Sequence, residues 1–191
     1  MSKNAESFVA VSIITEGDTP FNGSILAAGF AVVGEPKERT SMIVRPLFAP
    51  GARKPKDPPE LDQLRLKAQN EGITGPAFCK RVAALATHVK EKYGCPVLAC
   101  HPSGEVMTWL RYYFYAYGEK DPFSPTSSVI DLRSYWWGME GGPFYATGLN
   151  STKGIIWPEG EPAETWDVEE RAVRLAEIMS RSRARREKKG F

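Results

Sequence analysis

The amino-acid sequence predicts one mixed α/β domain, in which an antiparallel meander of three strands precedes helices that alternate with short strands. Three observations lead there. The region up to Leu47 holds three apolar runs parted by turn-forming residues. Beyond Leu61 the apolar positions return at the three-to-four spacing of helices. Between those helices lie apolar runs too short to be anything but strands, Pro96–Cys100 and Ser128–Asp131. No internal repeat divides the chain, and 191 residues suit a single core.

Phe8–Ile14 is apolar apart from Ser12, the pattern of a strand covered on both faces. Gly17-Asp18-Thr19-Pro20-Phe21-Asn22-Gly23 is dense in turn formers. Ile25–Val33 returns as the second strand, and its small residues Ala27, Ala28 and Gly29 permit close packing. After the turn at Gly34-Glu35-Pro36, Arg39–Leu47 completes the meander. The proline-rich basic stretch from Phe48 to Pro59 is a loop. A short helix is expected from Leu61 to Ala68, and a longer one after Thr74-Gly75-Pro76, with Phe78, Val82, Leu85 and Val89 on its apolar face and Gly94 ending it. The Pro96–Cys100 strand delivers His101 to its C-terminal end. Glu105–Tyr117 is an aromatic-rich helix, and an aromatic stripe at helical spacing is more often core than ligand platform. Ser128–Asp131 leads into a helix over Leu132–Met139. Gly141–Pro162 is loop-rich with a helical piece around Ala146–Ser151, and Thr165–Arg181 closes the domain as an amphipathic helix.

Hydrophobic residues at 42% and charged residues at 25% match a globular protein, and no run reaches the roughly 18 apolar residues of a membrane span. The N-terminus lacks the apolar stretch of a secretory leader. Cys79, Cys95 and Cys100 are odd in number and without CxxC spacing, which favours a reducing intracellular setting over disulfides. With His88 and His101 they fit no structural zinc pattern. The net charge of +2 is unevenly spread. Arg181, Arg183, Arg185, Arg186, Lys188 and Lys189 crowd the last residues against Glu187 alone, so the rest of the chain is net acidic. The expected organisation is a domain over 1–180 and a basic tail over 181–191. Such a tail meets phosphate or stays solvated. The same choice applies to Arg53, Lys54 and Lys56 in the proline-rich loop and to Arg65 nearby.

Six pieces, in order, carry a family resemblance: Ser12-Ile13-Ile14-Thr15-Glu16-Gly17 on the first strand, Ser24–Val33 on the second, Glu71-Gly72-Ile73-Thr74 before the long helix, Val97–Val106 across the next strand-to-helix step, Ile130–Ser134 on the strand-to-helix step after it, and Trp166–Ala172 near the end. Over about residues 8–180 the chain resembles the DEDD 3′–5′ exonucleases of the DEDDh type. The resemblance implies a ribonuclease H-like mixed sheet, its first three strands antiparallel, flanked by helices. It also implies a site in which four carboxylates hold two divalent ions and a histidine activates water.

Carried over residue by residue, that site is emptied of its chemistry. The first Asp falls on Ser12, the Glu on Ile14, the next Asp on Val106, the general-base His on Trp166 and the last Asp on Arg171. Glu16, Glu105, Asp167 and Glu170 are near misses. A one-residue slip on a helix turns a side chain by about 100°, and Glu16 is expected beyond the strand end, in the turn. The sequence therefore suggests a protein without metal or other cofactor and without nuclease activity, whose groove still takes a nucleic-acid strand or phosphate through His101, Arg171 and the basic tail. Two alternatives stand beside it. One is an adaptor subunit that presents the aromatic stretches 109–117 and 135–137 to a protein partner. The other is a divergent, active exonuclease that uses the shifted acids.

Overall fold

A computed structural model describes residues 6–48, 58–123, 129–140 and 165–188. The loop holding Arg53, Lys54 and Lys56, the helical piece expected near Ala146–Ser151, and Lys189 lie outside the described residues. Five strands form one sheet in the order β3-β2-β1-β4-β5. They are β1 Glu6–Glu16, β2 Ser24–Val32, β3 Arg39–Ile43, β4 Cys95–Cys100 and β5 Val129–Asp131. β1 pairs antiparallel with β2, and β2 with β3, so the meander stands as expected. β1 then pairs parallel with β4, and β4 with β5. The strand whose residues are apolar on both faces thus lies at the centre of the sheet, where both faces are covered.

The described helices are α1 Pro59–Glu71, α2 Gly75–Lys92, α3 Ser103–Ala116, α4 Leu132–Glu140 and α5 Val168–Lys188. The main core gathers Val9 and Val11 of β1 with Phe78 and Val82 of α2 and Leu110 and Tyr113 of α3. On the other face, Ile14, Leu26 and Ala27 pack with Leu61 and Ala68 of α1 and Val168 of α5. Further along that face Ala10 and Ala31 meet Ala172 and Ala176, while Phe8, Val97 and Leu132 meet Met179. The result is a sheet between two helical layers.

Gly29 explains why β2 carries small residues. A Cβ built on it would stand 2.0 Å from the carbonyl oxygen of Val168, so α5 lies almost on the backbone of β2. Tyr113 stitches the opposite layer: its hydroxyl accepts from the amide of Ile25 at 2.8 Å, and its ring packs edge-on to Phe78. The Glu71-Gly72-Ile73-Thr74 piece has a structural use as well. Ile73 bridges to Val44, its amide donates to Ile43, and Thr74 is the N-cap of α2, with Pro76 in the first turn. On the β2–β3 turn, Glu38 accepts from Lys92 and His88 of α2 and from Tyr93 just beyond its end, and these bonds hold its carboxyl down to about 2.

Two expectations need correction. The first strand does not stop at Ile14: a register shift between Ile14 and Thr15 lets it run on to Glu16, which pairs with Ser24. Glu16 is therefore a buried strand residue, not part of the turn. The last helix does not stop at Arg181 but continues to Lys188. Ser182 is still buried, and the guanidinium of Arg183 lies over the ring of Phe8 at 5.1 Å, so tertiary contact carries the helix into the basic segment. The aromatic stretches are also mainly core. Trp109, Tyr113, Phe114 and Trp136 are buried, and only Tyr115 and Trp137 stand well exposed.

Candidate functional site

The head of α5 organises the site. Asp167 caps the helix: its Oδ1 accepts the amides of Glu169 at 2.8 Å and Glu170 at 3.1 Å, while its own amide donates to Thr165 Oγ1. Val168 then drops into the pocket made by Ile14, Leu26 and Ala27, which seats this first turn on the ends of β1 and β2. Glu169 is held on its other side by Arg39 at 3.2 Å and by the hydroxyl of Ser41 at 3.1 Å. So placed, Thr165, Trp166, Arg171 and Arg174 line a cavity of about 300 Å³. Trp166 is 42% exposed and shares the cavity wall with two arginines.

Of the five positions the family resemblance singles out, Trp166 and Arg171 line this cavity together. Ser12 and Ile14 lie buried on β1 opposite Gly29 and Ala27, with Ile14 packed in one cluster with Val168. Val106 is buried in the main core with Val11 and Leu110. His101 is not among the described residues of the cavity. Its Nδ1 lies 3.3 Å from Asp131 Oδ2, at the adjoining ends of β4 and β5. Arg181, Arg183, Arg185, Arg186 and Lys188 occupy the last exposed turns of α5. Arg174 and Thr165 were not picked out from the sequence. Arg174 lies three residues beyond Arg171, the helical spacing that signals a shared face, and that was the available clue.

The shifted acids all have other work or lie open to water. Arg65 Nε of α1 donates to Glu16 Oε2 at 3.0 Å, and Arg65 Nη1 donates to Asp62 at 2.9 Å. Asp167 is the cap just described. Glu170 accepts from Arg174 at 2.6 Å, and its bonds to Arg174 and Thr165 lower its pKa. Glu105 is exposed in the first turn of α3. Among the described residues no three His, Cys, Asp or Glu side chains group closely enough to hold a metal ion. Ser, Ile, Val and Arg side chains at four of the singled-out positions do not fit a two-cation centre, and the arginine would repel one.

Burial raises the carboxyl pKa of Asp131, but the amides of Ser134 and Ser103, the Ser134 hydroxyl and His101 all favour its charged form, and the net shift is downward. A lowered folded-state pKa stabilises at pH above the ordinary carboxylate range and is lost as the pH falls through it. This carboxylate, which caps α4 and ties down the turn into α3, therefore holds through neutral pH. Burial pushes the thiols of Cys79 and Cys100 up to about 12, so they are inert apolar groups, not thiolate ligands.

The Glu16–Arg65 pair is largely buried, with side-chain exposures of 7% and 14%. Replacing Arg65 with Leu strands the carboxylate and is expected to cost about 3 kcal/mol in urea denaturation, whereas Glu16→Leu/Arg65→Leu regains most of it. Equal stability of the single variant and the native protein would show that Arg65 does not hold Glu16.

Solved structures share this architecture. The nuclease domain of 3′hExo, a DEDDh family member, bound to rAMP, superposes with a TM-score of 0.70 over 94% of this chain and 91% of that one, at 16% identity. The fold is that of the DEDDh 3′-exonucleases. A 3′-exonuclease in a structure of 3′-end-specific recognition of the histone mRNA stem-loop gives a TM-score of 0.71 at 15% identity, covering 95% of this chain and 83% of that one. E. coli exonuclease I in complex with a dT13 oligonucleotide gives 0.59 at 16% identity; 95% of this chain is covered, but only 40% of exonuclease I. No protein-family model matches the sequence, and no curated protein does. Among the described residues no helix is long and apolar enough to cross a membrane.

Proposed function

We propose that this chain is a non-catalytic module with the DEDDh exonuclease fold that binds single-stranded nucleic acid without metal. The observation that carries the reading is the cavity at the head of α5, lined by Trp166, Arg171, Arg174 and Thr165. An exposed indole offers a stacking face for a base of any identity, and guanidinium groups beside it suit phosphate. The helix beyond supports a track for the rest of the strand. Arg171, Arg174, Arg181, Arg185 and Lys188 recur at spacings that keep them within about 100° on α5, over a rise of about 26 Å. Glu170 and Glu177 flank this stripe near its start, and its far end is almost purely basic. Arg183, Arg186, Lys189, His101 and the loop cations Arg53, Lys54 and Lys56 are secondary candidates for the same backbone contacts.

The test is fluorescence anisotropy of a labelled single strand in the presence of a chelator. Binding is expected to persist without divalent ions, and Trp166→Ala is expected to weaken it about tenfold, the worth of one stacked base. Binding that requires Mg²⁺ or Mn²⁺ would overturn the reading.

The basic end of α5 contributes through charge. Because Ser182 is buried and Arg183 covers Phe8, the chain can be shortened only beyond Arg183 without exposing core. Deleting residues 184–191 removes Arg185, Arg186, Lys188 and Lys189 against Glu187. Each neutralised phosphate adds about −0.7 to the slope of log affinity against log salt, so the deletion is expected to flatten the slope by about 1.4 to 2. An unchanged slope would show that this end of the helix stays solvated.

The adaptor reading keeps one specific observation, the 86% exposure of Tyr115 on α3 with Trp137 on α4 at 42%. Association through those rings would be nearly insensitive to salt, whereas strand binding falls steeply as salt rises.

A further inference from the structure

We infer that the rim of the sheet at the carboxyl end of β1 is a stacking surface for the unpaired bases of a single strand, built from Phe21, Phe48, Tyr115 and Trp166. The inference rests on the nucleic-acid reading above and deepens it, from one exposed indole to a surface that admits single strands and refuses duplex. Four separate elements bring a ring to this rim. Phe21, in the turn between β1 and β2, is 77% exposed. Its ring meets that of Tyr112 edge-on at 5.3 Å, and Tyr115, one turn further along α3, is 86% exposed. Phe48, 41% exposed, follows β3, and its amide lies 3.5 Å from Oγ of Ser24, the residue that pairs with Glu16 at the end of β1. Trp166 stands two residues ahead of Val168, which packs with Ile14 and Leu26 beside the same strand ends.

The turn that carries Phe21 is well braced. The amide and hydroxyl of Thr19 donate to Asn22 Oδ1 at 3.1 and 2.9 Å, and the amide of Asn22 donates to the Thr19 carbonyl at 3.2 Å. Pro20 is buried, and Gly23 lies so close to the Glu16 carbonyl that a Cβ there would overlap it. Phe21 is thus fixed outward, and a ring held in place beforehand loses little entropy when a base lands on it. Exposed apolar side chains scattered singly mean nothing, whereas several gathered at one rim mark a contact surface. Stacking on such rings needs no charge and accepts any base. The phosphates of the same strand can then follow α5, which starts beside this rim and ends in its basic turns near Phe8. Bases in a duplex are already stacked on one another, and reaching the rings would require unpairing them.

Fluorescence anisotropy in chelator compares a labelled single strand with a blunt duplex of the same sequence. The native protein is expected to bind the single strand at least about tenfold more tightly. Phe21→Ala and Tyr115→Ala are each expected to weaken single-strand binding about fivefold to tenfold and to leave duplex binding as it was. Because the lost contact is uncharged, the slope of log affinity against log salt is expected to stay unchanged. Both side chains are largely exposed, so neither substitution opens the core, and circular dichroism checks the fold. Phe21→Tyr keeps a ring and is expected to bind like the native protein. Duplex binding as tight as single-strand binding overturns the inference. So does native-like strand binding by both alanine variants, which would leave these rings to a protein partner. In either case the nucleic-acid reading stands as long as Trp166→Ala still weakens the strand. A flattened salt slope in the alanine variants also overturns the inference, since the contact would then be one of charge. If no strand binds at all, both fail together.

Discussion

Incubated with Mg²⁺ or Mn²⁺, the purified protein is expected to leave a 3′-labelled single strand uncut over hours. The reason is chemical. Two divalent ions bring about four positive charges into a small volume, and only a ring of carboxylates makes that tolerable. The positions the family resemblance assigns to those carboxylates hold Ser12, Ile14, Val106 and Arg171, and the assigned general base is Trp166. Loss of even one essential group in a catalytic unit commonly costs about 10⁴-fold or more in rate. Rescue by the shifted acids would need Glu16 to leave Arg65, Asp167 to uncap α5 and Glu170 to leave Arg174. Digestion that a chelator abolishes, and that also disappears in Glu105→Gln or Glu170→Gln, would make the protein a divergent active nuclease.

Gly29→Ala is expected to be the most damaging small substitution in the sheet. Its new methyl group would lie 2.0 Å from the oxygen and 2.5 Å from the carbon of the Val168 carbonyl, and 2.9 Å from the amide nitrogen of Glu169. These are backbone atoms, so no side chain can swing away. Either β2 bends or the first turn of α5 lifts off. Overpacking of this kind costs about 3 kcal/mol or more, which in a domain of this size lowers the melting temperature by about 6–12 °C. Lifting α5 would also unseat Val168 and loosen the cavity that Trp166 and Arg171 share, so strand binding should fall with stability. Gly138→Ala is the control. Among the described residues nothing lies within 4 Å of a Cβ built there, and in the helix α4 alanine is favoured over glycine. Thermal melts by circular dichroism decide the matter: if Gly29→Ala melts within a degree or two of the native protein, the close approach of α5 to β2 is not as described.

Much of the fold was legible because its signals are short in sequence. The apolar run Phe8–Ile14 marked a strand covered on both faces, and it is the central strand. Thr74-Gly75-Pro76 marked the start of α2, and Ala27-Ala28-Gly29 marked a place of close packing, where Gly29 meets Val168. Turn chemistry and the periods of two and 3.6 act between neighbours, and neighbours are what a sequence displays.

Other features depend on partners far along the chain. Glu16 looked like a turn residue; its pairing across the register shift with Ser24 and with Arg65, 49 positions away, makes it a buried strand residue. The segment after Arg181 looked by composition like a basic tail beyond the last helix, but Ser182 and the Arg183–Phe8 contact keep it helical as far as Lys188. His101 and Arg171 were assigned to one groove, while the structure bonds His101 to Asp131 and sets Arg171 beside Trp166 and Arg174. By itself, then, the sequence determined the strands, the helices, their order and the residues standing where the resemblance expects metal ligands. Only the tertiary structure decided which acid meets which base and which cations share a cavity wall, because a side chain's charge environment is set by whatever packs against it and not by its neighbours in the chain.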